Sequence, residues 1–328
     1  MIKPLRDNRG MALILTILIV SLIVALTLQF NTSMWSNLHA AANLSDGIKL
    51  GCIARSGFNG ALAVLYVDAS SGDVDNLREP WAHAGIFSGY SAFLFEEGRF
   101  LIEITDLSRR IQINRLVKAD GNYNEIQKGL LTRFLGSPEF DLDEEEVENI
   151  VDAIKDWIDN PDNDDVTGWG GAEDSYYQSL ERPYPCKNAP FEFLEELLLV
   201  RGITKELFYG SGEKPGIFSY LSPLGDGKIN INTADPLVLR ALSDQMDQDL
   251  AEDMAAYRED EDNDLSDPAW YNKVPGMSDV SIPGSLLTIS SNYFEITSEG
   301  LKGAMSKRIK GMVERKEGTV NILSWKIF

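Results

Sequence analysis

Carboxylates and glycines crowd one stretch of this sequence. Asp156-Trp157-Ile158-Asp159-Asn160-Pro161-Asp162-Asn163-Asp164-Asp165 leads through Gly168, Gly170 and Gly171 to Glu173-Asp174-Ser175-Tyr176-Tyr177. Oxygen ligands crowded into a glycine-bearing loop behind a helix are what a hard cation needs. Calcium takes about six to eight oxygens at irregular angles, whereas magnesium demands a tighter octahedron. Asp162, Asp164 and Glu173 fall at the first, third and twelfth places of an EF-hand loop. Val166 and Thr167 fill the fifth and sixth, where an oxygen ligand and a glycine belong, so the stretch is not an EF-hand. Two readings stand, a calcium site and a solvated acidic loop. Trp157, Trp169, Tyr176 and Tyr177 surround the carboxylates, which argues for packing, and packed carboxylates repel one another unless neutralised. The balance falls on calcium.

Other chemistry finds less support. Glu259-Asp260-Glu261-Asp262-Asn263-Asp264 lacks the aromatic frame and reads as a solvated helix end or loop. Paired carboxylates can do general acid–base work, but here no acid is isolated among apolar residues and no nucleophile elbow occurs. The two histidines, His39 and His83, have no zinc-type spacing, and no enzymatic activity is expected. Cys52 and Cys186 are too few for a disulfide scaffold. They could pair in an oxidising compartment, although Cys52 reads more simply as a small buried hydrophobe. A net charge of −21 argues against nucleic acid and anionic membrane surfaces as partners, and suits divalent cations and basic protein faces.

The elements that must position the acidic stretch follow from periodicity. Val147, Ile150, Val151, Ile154 and Ile158 recur at helical spacing directly before it, and residues 189–199 form a second helical stripe beginning beside Pro190. Thr233 is the expected N-cap of a helix running through Pro236, where the missing N–H costs nothing. Val200-Arg201-Gly202-Ile203-Thr204 and Val274-Pro275-Gly276-Met277-Ser278 share one pattern and resemble the turn of helix-hairpin-helix or SAM-like modules. Such turns offer N–H groups to phosphate in nucleic-acid binders. Glu206, Glu252, Asp253 and Asp279 would repel phosphate here, so compact helical packing is expected instead. Alternation marks strands at both ends of this region, over residues 98–105, 293–298, 307–315 and 319–327. A sheet-bearing head interrupted by a large helical segment is the economical architecture.

The N-terminus fixes the setting. Residues 11–28 form an apolar run broken mildly by Thr16, Ser21 and Thr27. At about 1.5 Å per residue the run covers roughly 27 Å, near the hydrocarbon thickness of a bilayer. Lys3, Arg6 and Arg9 precede it, so the positive-inside bias sends the rest of the chain across. A secretory signal would have an apolar region of about 7–15 residues and a small-x-small site behind it. Leu28-Gln29-Phe30 offers no such site, and His39-Ala40-Ala41-Ala42 lies too far downstream, so a retained membrane helix is expected. Phe30, Met34, Leu38, Ala41, Ile48 and Cys52 continue as one apolar stripe, predicting a helix half in lipid and half packed on the head. Gly47, Gly51, Gly57 and Gly60 weaken that second half, which tertiary packing must then hold.

A basic leader, a glycine and a uniformly apolar helix resemble the start of prepilin-type precursors. That resemblance implies cleavage between Gly10 and Met11 and methylation of the new amino group. The fifth residue of the processed chain is Leu15, where most such subunits carry a glutamate that pairs with a neighbour's N-terminal amine. A subunit with nothing above it has no use for this carboxylate, and an unpaired charge in lipid is costly.

Taken with Asp156-Trp157-Ile158-Asp159, Gly171-Ala172-Glu173-Asp174-Ser175-Tyr176-Tyr177 and Ile229-Asn230-Ile231-Asn232-Thr233-Ala234, the chain resembles the minor pseudopilin K family of type II secretion systems over essentially its whole length. The resemblance implies an α+β fold: a long transmembrane and amphipathic helix on an antiparallel, pilin-like sheet, with an inserted all-α, SAM-like or helix-hairpin-helix-like domain. The expected divisions are a prepilin leader at 1–10, a transmembrane helix at 11–30, the first part of the head at 31–115, the inserted domain at 116–285 and the C-terminal strands at 286–328. It implies bound Ca2+, with Asp159, Asp162, Asp164, Glu173 and Asp174 as ligand candidates by position. It implies minor pseudopilins I and J as partners, the major pseudopilin below, and a prepilin peptidase/methyltransferase acting at Gly10 and Met11. The expected location is the inner membrane, single-pass, with the C-terminal body in the periplasm. The alternative is a membrane-anchored periplasmic calcium-binding protein or enzyme outside secretion.

Overall fold

The computed structural model describes residues 9–70, 72–159, 165–316 and 318–328. Its first element, α1 (Arg9–Asp68), is a single helix of 60 residues, about 90 Å long at the usual rise. No proline interrupts the sequence between Pro4 and Pro80. The hydroxyls of Thr16, Ser21 and Thr27 donate to the carbonyls of Leu13, Ile17 and Ile23 at 2.7–2.8 Å, so the polar breaks in the apolar run are satisfied within the helix. This is the one helix among the described residues long and apolar enough to cross a membrane, and it fits a single-pass anchor.

Four strands form the main sheet: β1 (Arg99–Asp106), β2 (Tyr293–Lys302), β3 (Met305–Lys316) and β4 (Thr319–Ile327), antiparallel and in that order. Arg99 pairs with Leu301, Tyr293 with Glu314, and Lys316 with Thr319. The tight connection after Lys302 uses Gly303 at φ +57°. Phe100, Ile102 and Ile104 of β1 join Phe294, Ile296, Ile309 and Val313 in a core that faces the second half of α1. A short helix, α2 (Gly85–Ser91), covers the β1 side, where Ser88 and Ser91 hydroxyls accept from the Ile102 and Phe100 amides.

The helix meets the sheet through Leu50, Ile53, Ala54, Gly57, Phe58, Ala61 and Leu65. The stripe expected from sequence does not make this contact: Phe30, Met34, Leu38, Ala41, Ile48 and Cys52 are all exposed. At about 3.6 residues per turn those six lie on roughly the opposite side of α1 from the buried seven. An apolar period shows that a face exists without showing what covers it, and here the sheet grips the other one. Cys52 is therefore an exposed free thiol, not a buried hydrophobe, and it forms no disulfide with Cys186.

Glycines permit the close approach of helix and sheet. A Cβ at Gly57 would collide with Ser298 Oγ and come within 2.8 Å of Phe100, one at Gly300 would stand 2.5 Å from the Leu50 carbonyl, and one at Gly311 would stand 2.7 Å from Phe58. Gly57→Val should therefore destabilise the head by about 1–3 kcal/mol through overpacking. Gly60→Ala, where a Cβ meets nothing, should gain up to about 1 kcal/mol of helix propensity. Thermal melts of the two variants should move in opposite directions.

A second core gathers apolar residues from Ile111 to Leu287. Its helices are α3 (Glu125–Leu135), α4 (Glu144–Ile158), α5 (Asp174–Tyr177), α6 (Lys205–Tyr209), α7 (Pro236–Arg240) and α8 (Gln248–Glu259). The all-α expectation needs amending. Residues 111–112 pair in parallel with 221–222, 229–230 pair in parallel with 287–288, and 210–211 pair with 214–215. The stripe at 189–199 yields only a 3₁₀ helix, Leu194–Leu199, because Asn188 at φ +46° and Pro190 delay the start. The N-cap of α7 is Asp235, whose carboxylate accepts from the Leu237 amide, rather than Thr233. The two repeated turns place Gly202 at φ +85° and Gly276 at φ +86°. A Cβ there would press on Ile150 or Leu250 at 2.9 Å, so each turn packs a backbone against a core side chain.

Candidate metal centre

Helix α4 starts in a capping box, Asp143 accepting from the Glu146 amide and Glu146 from the Asp143 amide, with Glu144, Glu145 and Glu146 in its positive first turn. Its buried face, from Val147 to Trp157, fixes the helix in the second core. The C-terminal turn then has one possible orientation, presenting Lys155, Asp156 and Asp159 inward.

Asp156, Asp159 and Glu173 come together there, each offering a carboxylate oxygen within 4.8 Å of the other two. They are 0 %, 4 % and 2 % exposed, far below what unneutralised acids tolerate. Asp156 Oδ2 accepts from the Thr167 amide at 3.1 Å, while its buried Oδ1 accepts no hydrogen bond from the described residues. Burial pushes the Asp156 carboxyl up, against the pull of its Thr167 hydrogen bonds. Asp156 and Asp159 also stand at the negative end of the α4 dipole, a second cost that a cation relieves.

Of the residues expected as ligands, Asp159 and Glu173 lie in this cluster, and Asp162 and Asp164 lie outside the described residues. The Asp174 carboxylate turns elsewhere and accepts from the Cys186 amide at 2.6 Å. Asp156 was not among them. Its position three residues before Asp159, on the same helical face, was the available signal. Cys186 sits beneath the cluster, and burial pushes its thiol up to about 12, so it stays protonated beside the carboxylates.

The glycines of the loop let it lie on α4. A Cβ at Gly168 would collide with Asp152, one at Gly170 with Asn149 and one at Gly171 with Asp156. Arg201 ties the loop to the repeated turn, donating to the Gly171 carbonyl at 3.1 Å and stacking over Tyr176 at 5.0 Å. Among the described residues the donor set is oxygen only and buried, and three carboxylates face the one ammonium of Lys155, two positive charges short of balance. Those residues fit one hard divalent ion of the calcium type.

A buried polar seam, not foreseen from sequence, joins the two cores. Arg315 pairs with both oxygens of Asp75 at 2.5 and 2.6 Å and with Asp68. Asn230 donates to the Asp75 carbonyl at 3.1 Å and to Asp106 Oδ2 at 2.9 Å, and Thr233 donates to the same oxygen at 2.7 Å. Burial pushes the Asp106 carboxyl up, opposed by those donors. Asn232 lies in the turn that follows, its amide donating to Asn230 Oδ1 at 3.0 Å and its side-chain oxygen accepting from the Trp270 indole at 2.7 Å. The second acidic run is the exposed end of α8 and the loop after it, held through its backbone: Arg78 donates to the carbonyls of Arg258, Asp260 and Asn263.

The fold defines a class, proteins of mixed helix and antiparallel sheet led by one long apolar helix that fits a single-pass membrane anchor. Two family models described as type II secretion system protein K match residues 109–209 and 229–290. The chain is 27 % identical to the type II secretion system protein K of Aeromonas hydrophila over 309 residues, 88 % of each chain. It is 24 % identical to that of Klebsiella pneumoniae, over 70 % of this chain and 67 % of the other. A crystal structure of the GspK-GspI-GspJ complex from enterotoxigenic Escherichia coli has the same fold, with a TM-score of 0.70 at 18 % identity over 88 % of this chain and 99 % of that one. The chain belongs to the type II secretion system protein K family, and its function is that of a minor pseudopilin in type II secretion.

Proposed function

We propose that this chain caps the pseudopilus, initiating its assembly with minor pseudopilins I and J. In this reading the first core is a pilin-like head and the second an inserted helical domain that binds calcium through Asp156, Asp159 and Glu173. The chain is cleaved after Gly10 and methylated on Met11, spans the inner membrane once and holds its body in the periplasm. Major pseudopilin subunits join from below, and no catalysis is involved.

One observation carries the proposal: α1 has two opposed apolar faces. Leu50 to Leu65 lie against the chain's own sheet, and Phe30, Met34, Leu38 and Ile48 are bare. A bare apolar stripe on a helix leaving the membrane suits partner helices arranged around it. The bulk of the second core suits a terminal position, since it would obstruct a subunit above. The similarity to a chain crystallised as GspK-GspI-GspJ supports the choice of partners.

Co-expression of the full chain with minor pseudopilins I and J should yield one complex that survives detergent extraction. Met34→Glu combined with Leu38→Glu should abolish it without lowering the melting temperature of the body. A full-length chain that never co-purifies with I and J would overturn the assembly reading. Mass spectrometry should find N-methyl-methionine at residue 11.

A further inference from the structure

A lysine stands inside the acidic cluster. Lys155 is 8 % exposed, and its ammonium donates to Asp159 Oδ2 at 3.2 Å and to Thr167 Oγ1 at 2.7 Å. Asp156 Oδ1 lies 3.9 Å away, and the face of Tyr123 closes the other side at 5.6 Å. Lysine is seldom buried this deeply without a task that compensates its lost hydration. Its place is set by α4 itself, one residue before Asp156 and four before Asp159, so the helix delivers the charge together with the acids it neutralises.

We propose that Lys155 is a built-in counter-ion of the cation site, holding the carboxylates together without metal and weakening the site for a divalent ion by competing for Asp159. This rests on the calcium reading given above. Without an ammonium, three buried carboxylates would face one another at the negative end of a helix, and the metal-free protein would lose the order of this turn. With it, the cluster carries a partial charge balance of its own. The same ammonium and a divalent ion draw on the same oxygens, and their mutual repulsion at a few ångströms subtracts from metal affinity. The site then remains folded when empty and loads only where the free ion is plentiful.

Calorimetric titration of the detergent-solubilised full chain with calcium chloride tests this, alongside thermal melts in EDTA and in excess calcium. Lys155→Met should bind calcium at least about tenfold more tightly than wild type. It should also melt below wild type in EDTA but not in calcium. Wild type that binds calcium while Lys155→Met binds equally or more weakly would overturn the counter-ion role alone. No binding by either protein would overturn the cation site itself, a distinguishable result. If Lys155→Met fails to fold in EDTA, Lys155→Arg decides: it keeps the charge and must bind no tighter than wild type, and tighter binding refutes the competition.

Discussion

Arg315→Met should lower the stability of the full chain by about 3–5 kcal/mol, because it leaves the buried carboxylate of Asp75 and the half-buried one of Asp68 without their cation. Arg315 and Asp75 are 8 % and 1 % exposed, and the guanidinium also pairs with Asp68, donates to the Ser291 carbonyl at 3.0 Å and lies 4.7 Å over Phe294. Methionine fills much of the volume, so the loss is electrostatic rather than a cavity. Burial already outweighs the guanidinium and pushes the Asp75 carboxyl up to about 7. A folded value above the unfolded one means that the native state holds a proton the unfolded chain releases. Stability from this group is complete below about pH 4 and is lost as pH rises through about 7. Removing Arg315 penalises only the ionised carboxylates. The deficit of the variant should therefore be largest near pH 8 and shrink toward pH 5 as Asp75 takes up its proton. Urea titrations in detergent at the two pH values read this out, and a deficit independent of pH would refute the account.

Chelation should produce the second large effect. An ion at about a hundred times its dissociation constant stabilises by about 2.7 kcal/mol. For a unit of this size that corresponds to a melting shift of roughly 5–10 °C. EDTA should lower the melting temperature by that amount, and calcium should restore it. Glu173→Gln should lose the calcium response while melting at or above wild type in EDTA, because one of three mutually repelling carboxylates is gone. A Glu173→Gln chain that still responds fully to calcium would remove this residue from the site. An unresponsive wild type would remove the ion.

Much of the fold was legible because side-chain period reports local geometry directly. The alternation of Phe100, Ile102 and Ile104 gave β1, and the spacing from Val147 to Ile158 gave α4. Caps were less secure, since Thr233 and Asp235 both satisfy the local rule. The choice between them was made by Asp106, which claims the Thr233 hydroxyl from 127 residues away. The polar seam was illegible for the same reason: Arg315 meets Asp75 across 240 positions, and Asn230 meets the Asp75 carbonyl across 155. At the candidate metal centre the acidic loop is conspicuous by composition, while Asp156, the first acid of the stretch, belongs to the end of a helix whose aliphatic residues dominate the pattern. The faces of α1 show the complementary limit. Both apolar stripes are present in the sequence, but only the packed structure tells which one the chain uses on itself.

That helix also sets a distance. From Phe30 to Asp46, where Lys302 of the sheet first reaches it, α1 runs exposed for about 24 Å. With residues 11–30 in the bilayer, as proposed above, the body would stand off the lipid surface by about three times the screening length of about 8 Å at physiological salt. A body of such negative charge would be repelled by anionic headgroups at contact. Held at that height it would scarcely feel them, and the stalk would let an acidic particle sit above a like-charged surface without electrostatic strain.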